Sequence, residues 1–146
     1  MSRLDDLDSH FSRTGLPYEQ IGHNTWVITP ESAHPAQIAV SADDPIVLFS
    51  LEVFTLGGQE KDHEGLFRRL LELNAELLHS SYSLQGDRVV LSGAQQLENL
   101  DFNEFQAMID DMCMALDRHW DELAEWGKPA SMPADQGKAT AAEGSA

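Results

Sequence analysis

Residues 64–91 read EGLFRRLLELNAELLHSSYSLQGDRVVL, and the change of period within them decides the fold. Leu66, Leu70, Leu73 and Leu77 fall on one line of a helix, with Phe67, Leu71 and Leu78 on the line beside it. Offsets of three, four and seven put both lines on one broad face, which must lie against something apolar. Downstream the spacing turns to that of strands. Tyr82–Gln85 and Arg88–Ser92 flank Gly86-Asp87, a two-residue hairpin signal.

Working outward, Asp62 is positioned to cap this helix, and Gly57-Gly58 closes the strand before it. That strand, Ile46–Leu56, is the strongest in the chain. Val47, Phe49, Leu51 and Val53 face one side; Ile46, Leu48, Phe54 and Leu56 are read on the other. A sheet with one solvated face shows polar residues at alternate positions. Only Ser50, Glu52 and Thr55 do so here, so the second face is expected to meet a second subunit, a bound segment or a terminal helix. Further upstream, Tyr18–Ile21 and Thr25–Thr29 flank Gly22-His23-Asn24 as a hairpin, Gln37–Ser41 forms another strand, and Asp43-Asp44-Pro45 turns the chain. A short first helix carries Leu4, Leu7 and Phe11, with Ser2 as its expected cap and Gly15 and Pro17 ending it.

On the far side, Asp101 caps a long last helix with the stripe Phe102, Phe105, Ile109, Met112, Leu116, Trp120 and Leu123. Its exposed face holds Glu104, Asp110, Asp117, Asp121 and Glu125. The element order is therefore α-β-β-β-β-α-β-β-α over residues 1–126. From Gly127 onward Gly, Pro, Ser and Ala dominate, and residues 127–146 are expected to form a disordered tail.

The chain's 146 residues fit one domain. Nine basic against 25 acidic residues give a net charge of −16, and 7 of the basic and 23 of the acidic residues precede Gly127. That field disfavours direct contact with nucleic acid or an anionic membrane, and it favours a basic partner; an acidic surface serving solubility explains it equally. Cys113 is the lone cysteine, which excludes an intrachain disulfide, and its helical context reads as a small buried residue. No apolar run approaches a membrane span, and the N-terminus lacks an apolar signal region, so the expected location is the cytoplasm.

Chemistry finds little support. No histidine pair has the spacing of a helical zinc site, and Gly57-Gly58 lacks the lysine of a phosphate loop. His119 near Asp117 and Glu122 reads as part of a solvated helix face rather than a weak metal site. Asn74, in the apolar column between Leu71 and Leu78, is expected to bond backbone at the edge of the sheet. No catalytic, cofactor-binding or metal-ligating residue is assigned.

The LLELN run at Leu70–Asn74, the hairpin around Gly86-Asp87 with Arg88-Val89-Val90-Leu91, and Leu100-Asp101 before the last helix resemble the YbjN family. That family belongs to the type III secretion chaperone-like superfamily, and the resemblance covers roughly Leu4 to Trp126. It implies an α+β fold, an antiparallel sheet with helices packed on it, usually as a homodimer. It also implies a non-enzymatic protein that holds an extended client segment against apolar surface, without cofactor. The expected client-binding or dimer surface is Ile46, Leu48, Phe54 and Leu56, with a basic client, a class that includes nucleic-acid-binding proteins, steered by the acidic rim. The competing expectation is an acidic decoy that occupies nucleic-acid-binding proteins through charge alone.

Overall fold

The computed structural model describes residues 3–32, 34, 36–57 and 62–129. The elements are α1 (Arg3–Thr14), β1 (Tyr18–Gly22), β2 (Thr25–Ile28), β3 (Ile38–Asp43), β4 (Ile46–Leu56), α2 (His63–Asn74), β5 (Ser81–Gln85), β6 (Arg88–Gln96) and α3 (Phe102–Leu123). A 3-10 turn at Ala124–Trp126 then leads into β7 (Gly127–Pro129). All pairings are antiparallel, and the sheet runs β1-β2-β3-β4-β6-β5. β7 joins beyond the end of β3, pairing Gly127 with Leu56 and Pro129 with Phe54. The fold is thus the α+β arrangement that the sequence and the resemblance lead one to expect, with β7 added. Ser2, the expected cap of α1, and positions 130–146 of the expected tail lie outside the described residues.

The turns follow from their residues. Gly86 takes a positive φ of 63° in the β5–β6 hairpin, and Asn24 takes 54° in the β1–β2 hairpin. Gly15, at φ 75°, ends α1 in the left-handed conformation that a side chain would resist. β3 and β4 turn at Asp44-Pro45, whose peptide bond is cis. Asp62 accepts from the backbone N–H of Gly65 at 3.0 Å, and Asp101 forms a full capping box with Glu104.

One face of the sheet is dry. Trp26, Ile28, Ile38, Val40, Val47, Phe49, Leu51 and Leu91 point inward and are at most 2% exposed. α1 and α3 lie over them. Phe105 of α3 meets Phe11 of α1 edge-on at 5.0 Å between ring centroids, and Phe49 of β4 at 5.6 Å. Phe11 stacks in turn on Trp26 at 5.1 Å and Tyr18 at 5.5 Å, so one aromatic cluster joins both helices to three strands. His10 ties the same corner by bonding the Leu100 carbonyl at 2.9 Å. α3 approaches β6 closely at Gly93. A Cβ there would lie 2.6 Å from the His79 carbonyl oxygen and 2.9 Å from the sulfur and methyl of Met108.

Gly93→Ala therefore has to displace backbone as well as a flexible methionine. The expected cost is about 1–3 kcal/mol, read as a lowered urea midpoint at constant slope. Pairing it with Met108→Ala frees the side-chain half of the space but leaves the His79 carbonyl, so rescue is expected to be partial.

Candidate protein-binding surfaces

The outer face of the sheet is open around Leu48. Leu48 stands on it, 50% exposed, between Ser41 of β3 and Ala94 of β6, whose small side chains leave it standing clear of its neighbours. Ile46, two residues away on the same side, is half-buried. Phe54 is elsewhere: it is 1% exposed and belongs to the core. The alternation that places it beside Leu48 in the sequence breaks at a β-bulge between Glu52 and Phe54, which shifts the register against β6. One extra residue reverses every side chain beyond it, so Val53 and Phe54 are both buried. Leu56 is partly buried and packs against the core as well. Of the four residues expected to form one surface, the structure leaves Ile46 and Leu48 on the outer face and turns Phe54 away.

A second apolar surface lies on α2. Its first line behaves as expected: Leu66, Leu70 and Leu73 are buried. The second line does not. Phe67 is 37% exposed, Leu71 70% and Leu78 87%. The helix sits beside β5 rather than across the sheet, so only one line of side chains reaches the core. It also stops at Asn74. The N–H groups of Ala75, Glu76 and Leu77 then bond carbonyls three residues back, a tightened turn that leaves Leu78 pointing to solvent. Phe67 and Leu71 form a shallow groove with Glu64, Arg68 and Glu72. Arg69, on the other flank, bonds both Glu72 and Glu122 and so links α2 to α3.

Asn74 explains where α2 stops. Its amide donates to the Tyr82 carbonyl at 3.1 Å and accepts from the Tyr82 N–H at 2.7 Å, satisfying both backbone groups of an edge-strand residue. Tyr82 reaches inward, and its hydroxyl lies 2.7 Å from Nδ1 of His119. His119 is thus not part of a solvated face, as its acidic neighbours in sequence imply; it is 3% exposed. The buried arc of α3 is wider than its leucine-and-aromatic stripe and takes in Met108, Cys113, Ala115 and His119. Burial raises the Tyr82 pKa, with Glu122 adding to the effect, so the hydroxyl keeps its proton. Burial lowers the His119 pKa, aided by the charges of Arg118 and Arg69 and opposed by Glu76 and Glu122.

Among the described residues no group of three His, Cys, Asp or Glu side chains could hold a metal ion. No helix among them is long and apolar enough to cross a membrane.

The sequence pattern of the CesT_Tir_1 family matches residues 4–129. The chain belongs to this family. Solved structures place the same fold around it. The heterodimeric ExoU–SpcU complex from the type III secretion system of Pseudomonas aeruginosa contains a chain 16% identical, with a TM-score of 0.58 over 85% of this chain and 99% of that one. YbjN from E. coli is 14% identical, with a TM-score of 0.63 over 86% of this chain and 96% of its own. A chain of the HopA1–SchA chaperone–effector complex is 17% identical, with a TM-score of 0.55 over 81% of this chain and 91% of that one. At these identities the likeness is one of fold. No curated protein matches the chain in sequence.

The lowered pKa of His119 fixes the sign of one acid response. Between the folded value and the ordinary value near 6.5, the unfolded chain binds the proton and the folded chain does not. The stability that the neutral ring contributes is complete above about pH 6.5 and is lost as pH falls through the folded value. His119→Gln does not titrate, so its urea midpoint is expected to fall less than that of the wild type between pH 7 and pH 5. An equal fall in both would place the acid sensitivity elsewhere.

Proposed function

We propose that this chain is a non-enzymatic, chaperone-like protein-binding module that works as a homodimer in the cytoplasm and holds a client protein. The observation that carries the reading is the exposure of two separate apolar surfaces, Leu48 on the outer sheet face and Phe67 with Leu71 on α2. Exposed apolar side chains that adjoin one another, as Phe67 and Leu71 do, mark interaction sites, and Leu48 with half-buried Ile46 adds a separate apolar position. Membership of the CesT_Tir_1 family supports the reading, as do fold relatives solved as a chaperone–effector complex and as a secretion chaperone, SycH, bound to a fragment of YscM2.

The two surfaces differ in what they suit. The α2 groove is self-complementary. Across a two-fold axis with the helices antiparallel, Phe67 meets Leu71 of the second copy while Arg68 approaches the second copy's Glu72, as an isologous contact requires. The Leu48 face carries no such pairing of charges in its centre, being flanked by serine and alanine. It is assigned to the client, and the net charge of −16 favours a basic one.

Two substitutions separate the roles. Leu71→Asp is expected to convert a dimer to a particle of 16.2 kDa in light scattering without loss of fold, since Leu71 is 70% exposed. Leu48→Asp is expected to keep the dimer and abolish stoichiometric co-purification of a client from the native lysate. A folded wild-type dimer that recovers no stoichiometric protein would refute client binding. A wild-type monomer would refute the dimer.

A further inference from the structure

A chain of polar contacts runs from the core to the α2 groove, and it begins at His119. The ring is 3% exposed and has a partner on one side alone. Its Nδ1 lies 2.7 Å from the Tyr82 hydroxyl of β5, whereas Nε2 is buried with no hydrogen-bond partner among the described residues. A neutral imidazole tolerates this arrangement, because one of its nitrogens can stay bare. A protonated ring carries hydrogen on both. Tyr82 then has to accept at Nδ1, and the Nε2–H needs an acceptor that its surroundings do not give it.

Glu122 stands one turn along α3, at the i+3 spacing that shares a helix face. Its charge acts on both His119 and Tyr82, which places it beside the pair. Both of its oxygens are engaged by Arg69 of α2, one through Nε and the other through a terminal guanidinium nitrogen at 3.3 Å. Arg69 also bonds Glu72, one turn further along α2, at 3.1 Å, and Glu72 lines the groove with Phe67 and Leu71. Four side chains thus connect a buried ring to an exposed surface. The other charges acting on the ring are Glu76, which follows α2 and favours a proton, and Arg118, which with Arg69 opposes one. Glu76 is solvent-exposed and stands outside the bonded chain.

We propose that His119 is a proton sensor for the α2 groove: on gaining a proton it draws Glu122 from Arg69, and Arg69 then turns its donors on Glu72. The assignment rests on the dimer reading above, in which Glu72 meets Arg68 of a second copy, and adds to it control of that association by pH. Once Glu122 is withdrawn, Arg69 competes from within the protomer for the carboxylate that the second copy's Arg68 needs. The new charge on the ring also repels Arg69 directly. Association through the groove requires the neutral ring, so it is complete above about pH 6.5 and is lost as pH falls through the folded value. The linkage is reciprocal: a second copy seated on the groove makes the proton harder to add.

The test follows the Nε–H resonance of Arg69 and the ring resonances of His119 in the full chain. The dimer dissociation constant is measured beside them by sedimentation equilibrium at pH 7 and pH 5, at about 0.15 M salt. The Arg69 resonance is expected to move with the midpoint of the His119 ring, and the dissociation constant to rise about fivefold or more on acidification. His119→Gln is expected to remove both responses. Glu122→Gln alters a side chain that is 41% exposed and leaves the core alone. It is expected to hold the Arg69 resonance still and to weaken the dimer equally at both pH values. Glu76→Gln is expected to keep both responses. A ring that stays neutral down to pH 5, an Arg69 resonance that does not follow the ring, or a response kept in Glu122→Gln and lost in Glu76→Gln would each overturn the proposal. A dimer equally tight at both pH values, with Arg69 moving, overturns the control of association and leaves the dimer reading standing. A chain that is monomeric throughout refutes the dimer, and a coupled shift of Arg69 and His119 in that monomer keeps the sensor.

Discussion

The structure depends on α3 covering the inner face of the sheet, and Phe105 is where that contact is made. Its ring lies between Phe11 of α1 and Phe49 of β4, so the helical layer and the central strand meet in one side chain. A sheet with one dry face cannot persist without such a cover, because each inward residue contributes only when water is excluded from it. The 22 residues of α3 suffice to span several strands, and Gly93 lets the helix approach β6 where any side chain would hold it off. With α3 so placed, α1 and the 3-10 turn have fixed sites, and β7 follows from the direction in which α3 ends. α2 is less constrained. It is joined to α3 by Arg69 and to β5 by Asn74, and its remaining surface is left unclaimed.

This distribution separates stability from binding. The aromatic cluster and the strands β2 to β6 hold the core, whereas large exposed apolar side chains include Leu48 on the outer sheet face and Phe67 and Leu71 on α2. The acidic residues of α3 occupy the side away from the sheet, where they interfere with no packing. Charge can therefore be concentrated on this molecule without unpaired carboxylates entering the interior, and the interior ionisable pair, Tyr82 with His119, remains neutral.

Element order, turns and caps were legible in the residues because each has a local cause. Asp62 and Asp101 cap helices through backbone N–H groups three residues away, and Gly86 and Asn24 take backbone angles that few residues accept. Asn74 was legible for a related reason: a buried amide must find partners, and the nearest strand supplied both. What escaped was set by distance. The bulge at Phe54 arises from the match between β4 and β6, strands separated by the whole of α2, so strict alternation along β4 alone misplaces Phe54. Phe67 and Leu71 satisfy helical spacing, but spacing does not tell how much surface a neighbour offers, and β5 offers one line's worth. His119 was misread because charges beside it in sequence point to other sides of the helix. β7 has only three residues, among glycine and proline, and carries no period to detect. The site was less legible than the fold: of its four residues, Leu48 and Ile46 remain on the outer face.

The pair of hydrogen bonds between Asn74 and Tyr82 has a consequence for growth of the sheet. A side-chain amide that both donates to and accepts from one residue stands where the backbone of a neighbouring strand would stand. At that position the β5 margin is already occupied, and α2 follows behind it as a permanent obstruction. Among the described residues the opposite margin, β1, has no such plug: all five of its residues are exposed, and it pairs there with β2 alone. An open margin of this kind is a template for extended chain, whether wanted or not. The two ends of the sheet are chemically unequal, so lengthening by a further strand is polar, with β1 as the end that can accept one.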